Sequence, residues 1–146
     1  KVFASAAGTM NSILEDAARL DDIVGDHHSS LCQTIANLLK YREIRYPRTF
    51  TERTGLYDAL FNKIQNDTVP TMKRETLMAL AIGLGLNAYA TIKLMEKAQI
   101  HLNRDMRPDS VYLLMLERFP GISIYDANGI LEAHGIEPLG SKSRSS

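Results

Sequence analysis

Every apolar repeat in this chain falls at helical spacing, and no stretch alternates apolar and polar residues cleanly at period two. Ile13, Ala17, Leu20 and Val24 share one helix face, and Leu31, Ile35, Leu38 and Leu39 share another, as do Leu77, Leu80, Ala81 and Leu84. A stripe of this kind has to be buried against a neighbouring helix. The expected fold is therefore all-α: a compact bundle of about eight helices joined by short loops.

Caps and breakers divide the pattern. A first helix is expected from Met10 to Val24, broken by the polar stretch Gly25 to Ser29. Ser30 and Gln33 have the spacing of a capping box and open a second helix. Pro47 ends that region, because the residue before a proline avoids the helical well. Two short helices follow, Arg48 to Thr54 and Tyr57 to Asn66, divided at Gly55, where a tight turn needs positive φ. Phe50, Leu56, Leu60, Phe61 and Ile64 are their core residues. Pro70 and Thr71 introduce a helix from Met72 to Leu84 that Gly85 closes. Asn87 caps another that runs through Ala98. Pro108, at a first helical position, begins a helix to Phe119 with Val111, Leu114 and Met115 inward. Ser123 with Asp126 caps a last helix ending at Gly135, and the polar tail Gly140 to Ser146 is expected to be disordered. The chain divides into an acidic N-terminal helix and linker (1–30), a helical domain (31–139) and the tail (140–146).

Composition removes several classes of function. The 146 residues, 45% apolar and 23% charged, suit a folded domain rather than a disordered chain. The longest strongly apolar run, Leu77 to Leu86, is too short for a membrane span, so no membrane partner is expected. No leader is visible ahead of the acidic stretch, and the expected location is the cytoplasm. Lys1 rather than Met stands first, so the chain is expected to be a piece or a processed form of a longer product, with Met10 as a candidate start. A single cysteine, Cys32, excludes an internal disulfide and a Cys-based zinc site. His28 lies four residues before it, a spacing that metal ligands use, yet no further ligand is near; the pair reads as an exposed loop histidine and a buried thiol. Glu15, Asp16, Asp21, Asp22 and Asp26 fall on the polar face of an amphipathic helix, not across a cleft as an acid–base pair requires. Gly83 to Gly85 sits at a helix end and lacks the Lys-Ser/Thr ending of a phosphate loop. No metal, cofactor or catalytic constellation is expected, and the chain does not read as an enzyme.

Seventeen basic and seventeen acidic residues cancel, but unevenly. Residues 1–30 carry two basic and five acidic side chains, a sum of −3, whereas residues 31–74 carry eight and four, a sum of +4. The central block is the one candidate surface for an anionic ligand. It also carries a recognisable pattern. The run from Thr51 to Leu86, TERTGLYDALFNKIQNDTVPTMKRETLMALAIGLGL, resembles the phage-repressor-like (XRE-type) helix-turn-helix family. Gly55 stands at the turn, Ile64 ends the recognition helix, Asn66 and Pro70 follow, and Leu77, Leu80, Ala81, Leu84, Gly85 and Leu86 fill the next helix. The stretches 87–118 and 122–139 are similar to the helical C-terminal extension of some such bacterial proteins. The likeness covers about Leu31 to Leu139.

The resemblance implies a lambda-repressor-like helix-turn-helix inside the bundle, whose second short helix enters the major groove of double-stranded DNA. Tyr57, Asp58, Ala59, Asn62 and Lys63 would face base edges, and Arg45, Arg48 and Arg53 would hold phosphates, within a basic cluster that includes Lys40 and Arg42. The chain departs from the family pattern at Pro47-Arg48, where a Gln often stands, at Tyr57, Asp58 and Ala59, where Ser, Arg, Gln or Thr is usual, and at Asp67, which replaces a Gly. The expected function is a DNA-binding transcriptional regulator. A homodimer is expected with it, because two-fold half-sites lie about one DNA turn apart, and the N- or C-terminal helices would supply the contact. The alternative is an adaptor whose helix-turn-helix has lost DNA reading and binds a protein partner. The acidic N-terminal helix, the zero net charge and the missing Gln favour that alternative.

Overall fold

The computed structural model describes residues 2–140, with side chains from residue 8 onward. Among the described residues the chain is helical throughout, with no strand. Eight helices follow in order: α1 (Val2–Val24), α2 (Leu31–Tyr41), α3 (Pro47–Thr54), α4 (Ala59–Gln65), α5 (Arg74–Gly83), α6 (Ala88–Lys97), α7 (Asp109–Arg118) and α8 (Ile124–Ala133). The tail expected to be disordered lies, from residue 141, outside the described residues. No described helix is long and apolar enough to cross a membrane.

Local signals in the sequence set most of the boundaries. Ser30 Oγ accepts the Gln33 N–H at 3.0 Å while Gln33 Oε1 accepts the Ser30 N–H at 2.8 Å, which completes the capping box. Asn87 caps α6 through the Ala90 N–H, and Ser123 caps α8 through the Asp126 N–H. Gly55 stops α3 with φ +75°, a conformation that costs a residue with a Cβ but not glycine. Gly85 sits one place beyond the C-cap of α5, and the Gly85 and Leu86 N–H groups return to the Ile82 and Ala81 carbonyls in a Schellman motif.

Five expectations need correction. The first helix begins at Val2 rather than Met10, because Val2 to Thr9 contains no proline and is rich in alanine, so nothing stops helix propagation backward. Tyr57 and Asp58 precede α4 instead of opening it, and Met72 lies in the extended approach to α5 while still packing on the core. Pro108 occupies the N-cap of α7, one place earlier than expected. In α7 the inward stripe is Asp109, Tyr112, Leu113 and Leu116, together with Met115; Leu114 is half exposed at 50% and Val111 only partly buried.

The core is one continuous cluster drawn from every helix. Helix α5 is buried at every position from Leu77 to Gly83 and forms the axis on which α3, α6 and α8 pack. A helix that is apolar all round can only sit at such a centre. Gly83 is where α3 approaches it most closely: a Cβ there would lie 2.6 Å from Thr54 Cγ2 and 2.7 Å from the Arg53 carbonyl oxygen. On the other side α2 contributes Leu31, Cys32, Ile35, Leu38 and Leu39 and rests on α1 and α4.

Candidate functional site

Helix α4 is held from behind and bare in front. Leu60, Phe61 and Ile64 are buried, and Phe61 meets Phe50 of α3 edge-on with ring centroids 5.6 Å apart. Ala59, Asn62 and Lys63, at i, i+3 and i+4, are exposed on the opposite face, with Asp58 exposed just ahead of them. Four of the five base-facing candidates therefore share one accessible surface. Tyr57 differs: its ring packs partly buried against the core, with the Lys63 ammonium 5.5 Å above it. It acts as a platform for Lys63, an arrangement worth about 0.5–1 kcal/mol at an exposed site.

The arginines do not form one cluster. Arg45 lies exposed in the link between α2 and α3. Arg48, in the first turn of α3, has a side chain 91% exposed and faces Glu52 at 3.8 Å, four residues along. A pair this exposed is worth only about 0.3–0.5 kcal/mol and is screened by salt, so Arg48 is open to an outside anion. Arg53 lies on the same helix but about 140° further round its axis. It borders a groove with Glu52, Gly85, Ile124 and Tyr125, on the side where the C-terminal helices pack.

Arg42, counted with the basic cluster in the sequence, is spent inside the molecule. Its Nε donates to the Leu84 carbonyl at 2.6 Å and its Nη2 to the Gly85 carbonyl at 3.1 Å, which satisfies the C-terminus of α5. The same guanidinium grips the Asp16 carboxylate of α1 in a fork, at 2.6 and 3.0 Å. Tyr41 donates to the same carboxylate at 2.7 Å. The hydrogen bond from Arg42, and after it that from Tyr41, holds the Asp16 carboxyl below the usual carboxylate range against the opposing effect of burial. Asp16 is thus a structural anchor rather than a member of a solvated acidic face.

His28 is exposed in the loop after α1, while Cys32 is buried and donates its S–H to the Val69 carbonyl at 3.2 Å. Burial pushes that thiol up from its ordinary value. Among the described residues no group of three or more His, Cys, Asp or Glu gathers where a metal could sit.

Two anchoring residues escape the sequence reading. Asn128 of α8 brackets Leu139: its Oδ1 accepts the Leu139 N–H at 2.7 Å and its Nδ2 donates to the Leu139 carbonyl at 3.0 Å. That bracket lays the C-terminal strap over the α3–α4 link, where the Gly55 carbonyl oxygen would be 2.7 Å from any Cβ at Gly140. Asp109, buried at the head of α7, accepts the Asn103 N–H at 2.9 Å and faces Arg74 of α5 at 3.3 Å. A lone polar residue on an otherwise inward helix stripe was the available signal for both. Compared with family models, with curated proteins and with solved structures, the chain matches none.

Proposed function

We propose that this protein is a DNA-binding regulator of the helix-turn-helix type, in which α3 and α4 form the motif and α4 is the reading helix. One observation carries the reading: a short helix, fixed from behind by a buried apolar face, presents Ala59, Asn62 and Lys63 to solvent, and Arg45 and Arg48 are exposed as well. Asn62 has the donor–acceptor pair that adenine offers and accepts in the major groove, and Asp58 can accept from the cytosine amino group. Lys63 and the arginines supply the charge that draws a protein to phosphate. Arg53, exposed on another side of α3, serves a phosphate on the far flank of the duplex.

Titration of the full chain against fluorescent duplex DNA at low and moderate salt tests the reading. Binding is expected to weaken steeply as salt rises. Arg48→Ala is expected to reduce affinity for all sequences alike and lower the salt slope by about one, whereas Asn62→Ala should relax discrimination at one position. Absence of binding even at low salt would favour the second reading, a protein-binding adaptor. That reading draws on the carboxylate of Asp58 at the leading end of α4, on Arg42 being consumed by Asp16, and on a net charge of zero.

A further inference from the structure

Aspartate is among the preferred residues at a helix N-cap, where its carboxylate accepts a free N–H of the first turn. Asp58 holds that place on α4 and leaves it unused. A capping side chain needs extended backbone, and Ser30, Asn87 and Ser123, which do cap their helices, have ψ of 170°, 174° and 157°. Asp58 is helical instead, with φ −68° and ψ −29°, and its side chain makes no cap bond. Only its carbonyl serves the helix, accepting the Phe61 N–H at 3.0 Å. Glu52 faces Arg48 and Asp16 is held by Arg42, whereas Lys63, the cation of α4 itself, lies over the Tyr57 ring. Among the described residues, the exposed Asp58 carboxylate has neither a hydrogen-bond nor an ion-pair partner. The bare face made by Asp58, Ala59, Asn62 and Lys63 therefore carries one carboxylate that the fold does not use.

Resting on the reading of α4 as a DNA-reading helix, we propose that Asp58 is its specificity-determining residue and that it acts by exclusion. An unpartnered carboxylate brought up to a duplex meets the field of the phosphates, and this repulsion disfavours every sequence alike. It is offset only where the major groove offers the carboxylate a donor, and the cytosine amino group is that donor. Guanine and thymine present acceptors there, and adenine sets its N7 acceptor beside its amino group, so a group that can only accept is poorly matched to all three. Asn62, one helical turn further on, has both a donor and an acceptor and brings no charge. Four residues of helix rise about 6 Å, which places the cytosine about two base-pair steps from the base that Asn62 reads. Repulsion at wrong sites, relieved at the right one, yields specificity without a tighter grip on DNA as a whole.

Two measurements on the full chain, with Asp58→Ala and Asp58→Asn beside the wild type, test this. The first is affinity for a fluorescent duplex of random sequence at low and moderate salt; the second is enrichment of preferred sites from a randomised duplex pool. Both variants are expected to bind the random duplex about tenfold more tightly at low salt, with a steeper salt dependence. The sites enriched by Asp58→Ala should lose a preference for cytosine at one position and keep the others, while Asp58→Asn should move that preference to adenine. Asp58 bonds to no other side chain, so melting curves that match the wild type will show that folding is intact. Variants that bind the random duplex no more tightly than the wild type, or enriched sites that keep their cytosine in both variants, would overturn the proposal and leave the DNA-binding reading standing. A wild type too weak to measure on random duplex, beside an alanine variant that binds it, would support the exclusion directly. Failure of all three proteins to bind at low salt would overturn the reading of α4 and this proposal with it.

Discussion

At the scale of single residues, Asp16 shows how a side chain changes its meaning on folding. In the sequence it is one of five acidic residues on a helix; in the structure it is bonded to Arg42 and Tyr41 and ties α1 to α2 and α5. Its carboxyl titrates below the usual range when folded, so the contribution of this anchor is fully present above the unfolded value, near pH 4, and is lost as the pH falls through the lower folded value. Asp16→Asn is therefore expected to lower stability at neutral pH by about 1–3 kcal/mol and to flatten the acid limb of the stability profile, measured by urea unfolding between pH 2 and 7. A second residue-scale prediction concerns Gln99, which holds φ +61° just beyond α6. A side chain pays about 1–2 kcal/mol in that region and glycine about half as much in chain entropy. Gln99→Gly is expected to raise stability by about 0.5–1 kcal/mol in thermal melts, reversing the usual effect of a glycine.

Among the elements, the contact between α3 and α5 places the candidate reading helix. The carbonyl of Arg53 and the methyl of Thr54 occupy the space a side chain at Gly83 would need. Backbone cannot yield there as a flexible side-chain tip could. Gly83→Ala is expected to cost about 1–3 kcal/mol by forcing the two helices apart. Because α3 carries Phe50 against Phe61, the same change should disturb α4, which amide chemical shifts at Ala59 to Ile64 would report. A perturbation confined to α5 would show that the helices adjust independently.

For the molecule as a whole, the C-terminal helices act as a brace. Asn128 pins Leu139, and the strap crosses the α3–α4 link at Gly55. Asn128→Ala is expected to leave two peptide groups without partners, to cost about 1–3 kcal/mol, and to speed amide exchange around Leu56. Faster exchange at Leu139 alone would mean that the strap covers the link without supporting it. Arg74 and Asp109 make a separate link, between α5 and α7.

The sequence by itself determined the helical class, the caps at Ser30, Asn87 and Ser123, the stop at Gly55 and the burial of Leu60, Phe61 and Ile64. These depend on steric and hydrogen-bonding rules that act within a few residues of chain. It also supplied the candidate residues on α4, since a helix with a buried face fixes its exposed one. Tertiary structure alone decided which of two apolar faces α7 turned inward, because Val-Tyr-Leu-Leu-Met-Leu offers two stripes of nearly equal hydrophobicity. It decided that Arg42 would serve Asp16 and the end of α5 while Arg48 stayed in solvent, a distinction that charge along the chain cannot make. It also left residues 8–15 of α1 without a covering surface, although the apolar stripe runs along that helix to Val24. Periodicity says that a face will be buried; only packing says against what, because burial depends on distant segments arriving at the same place.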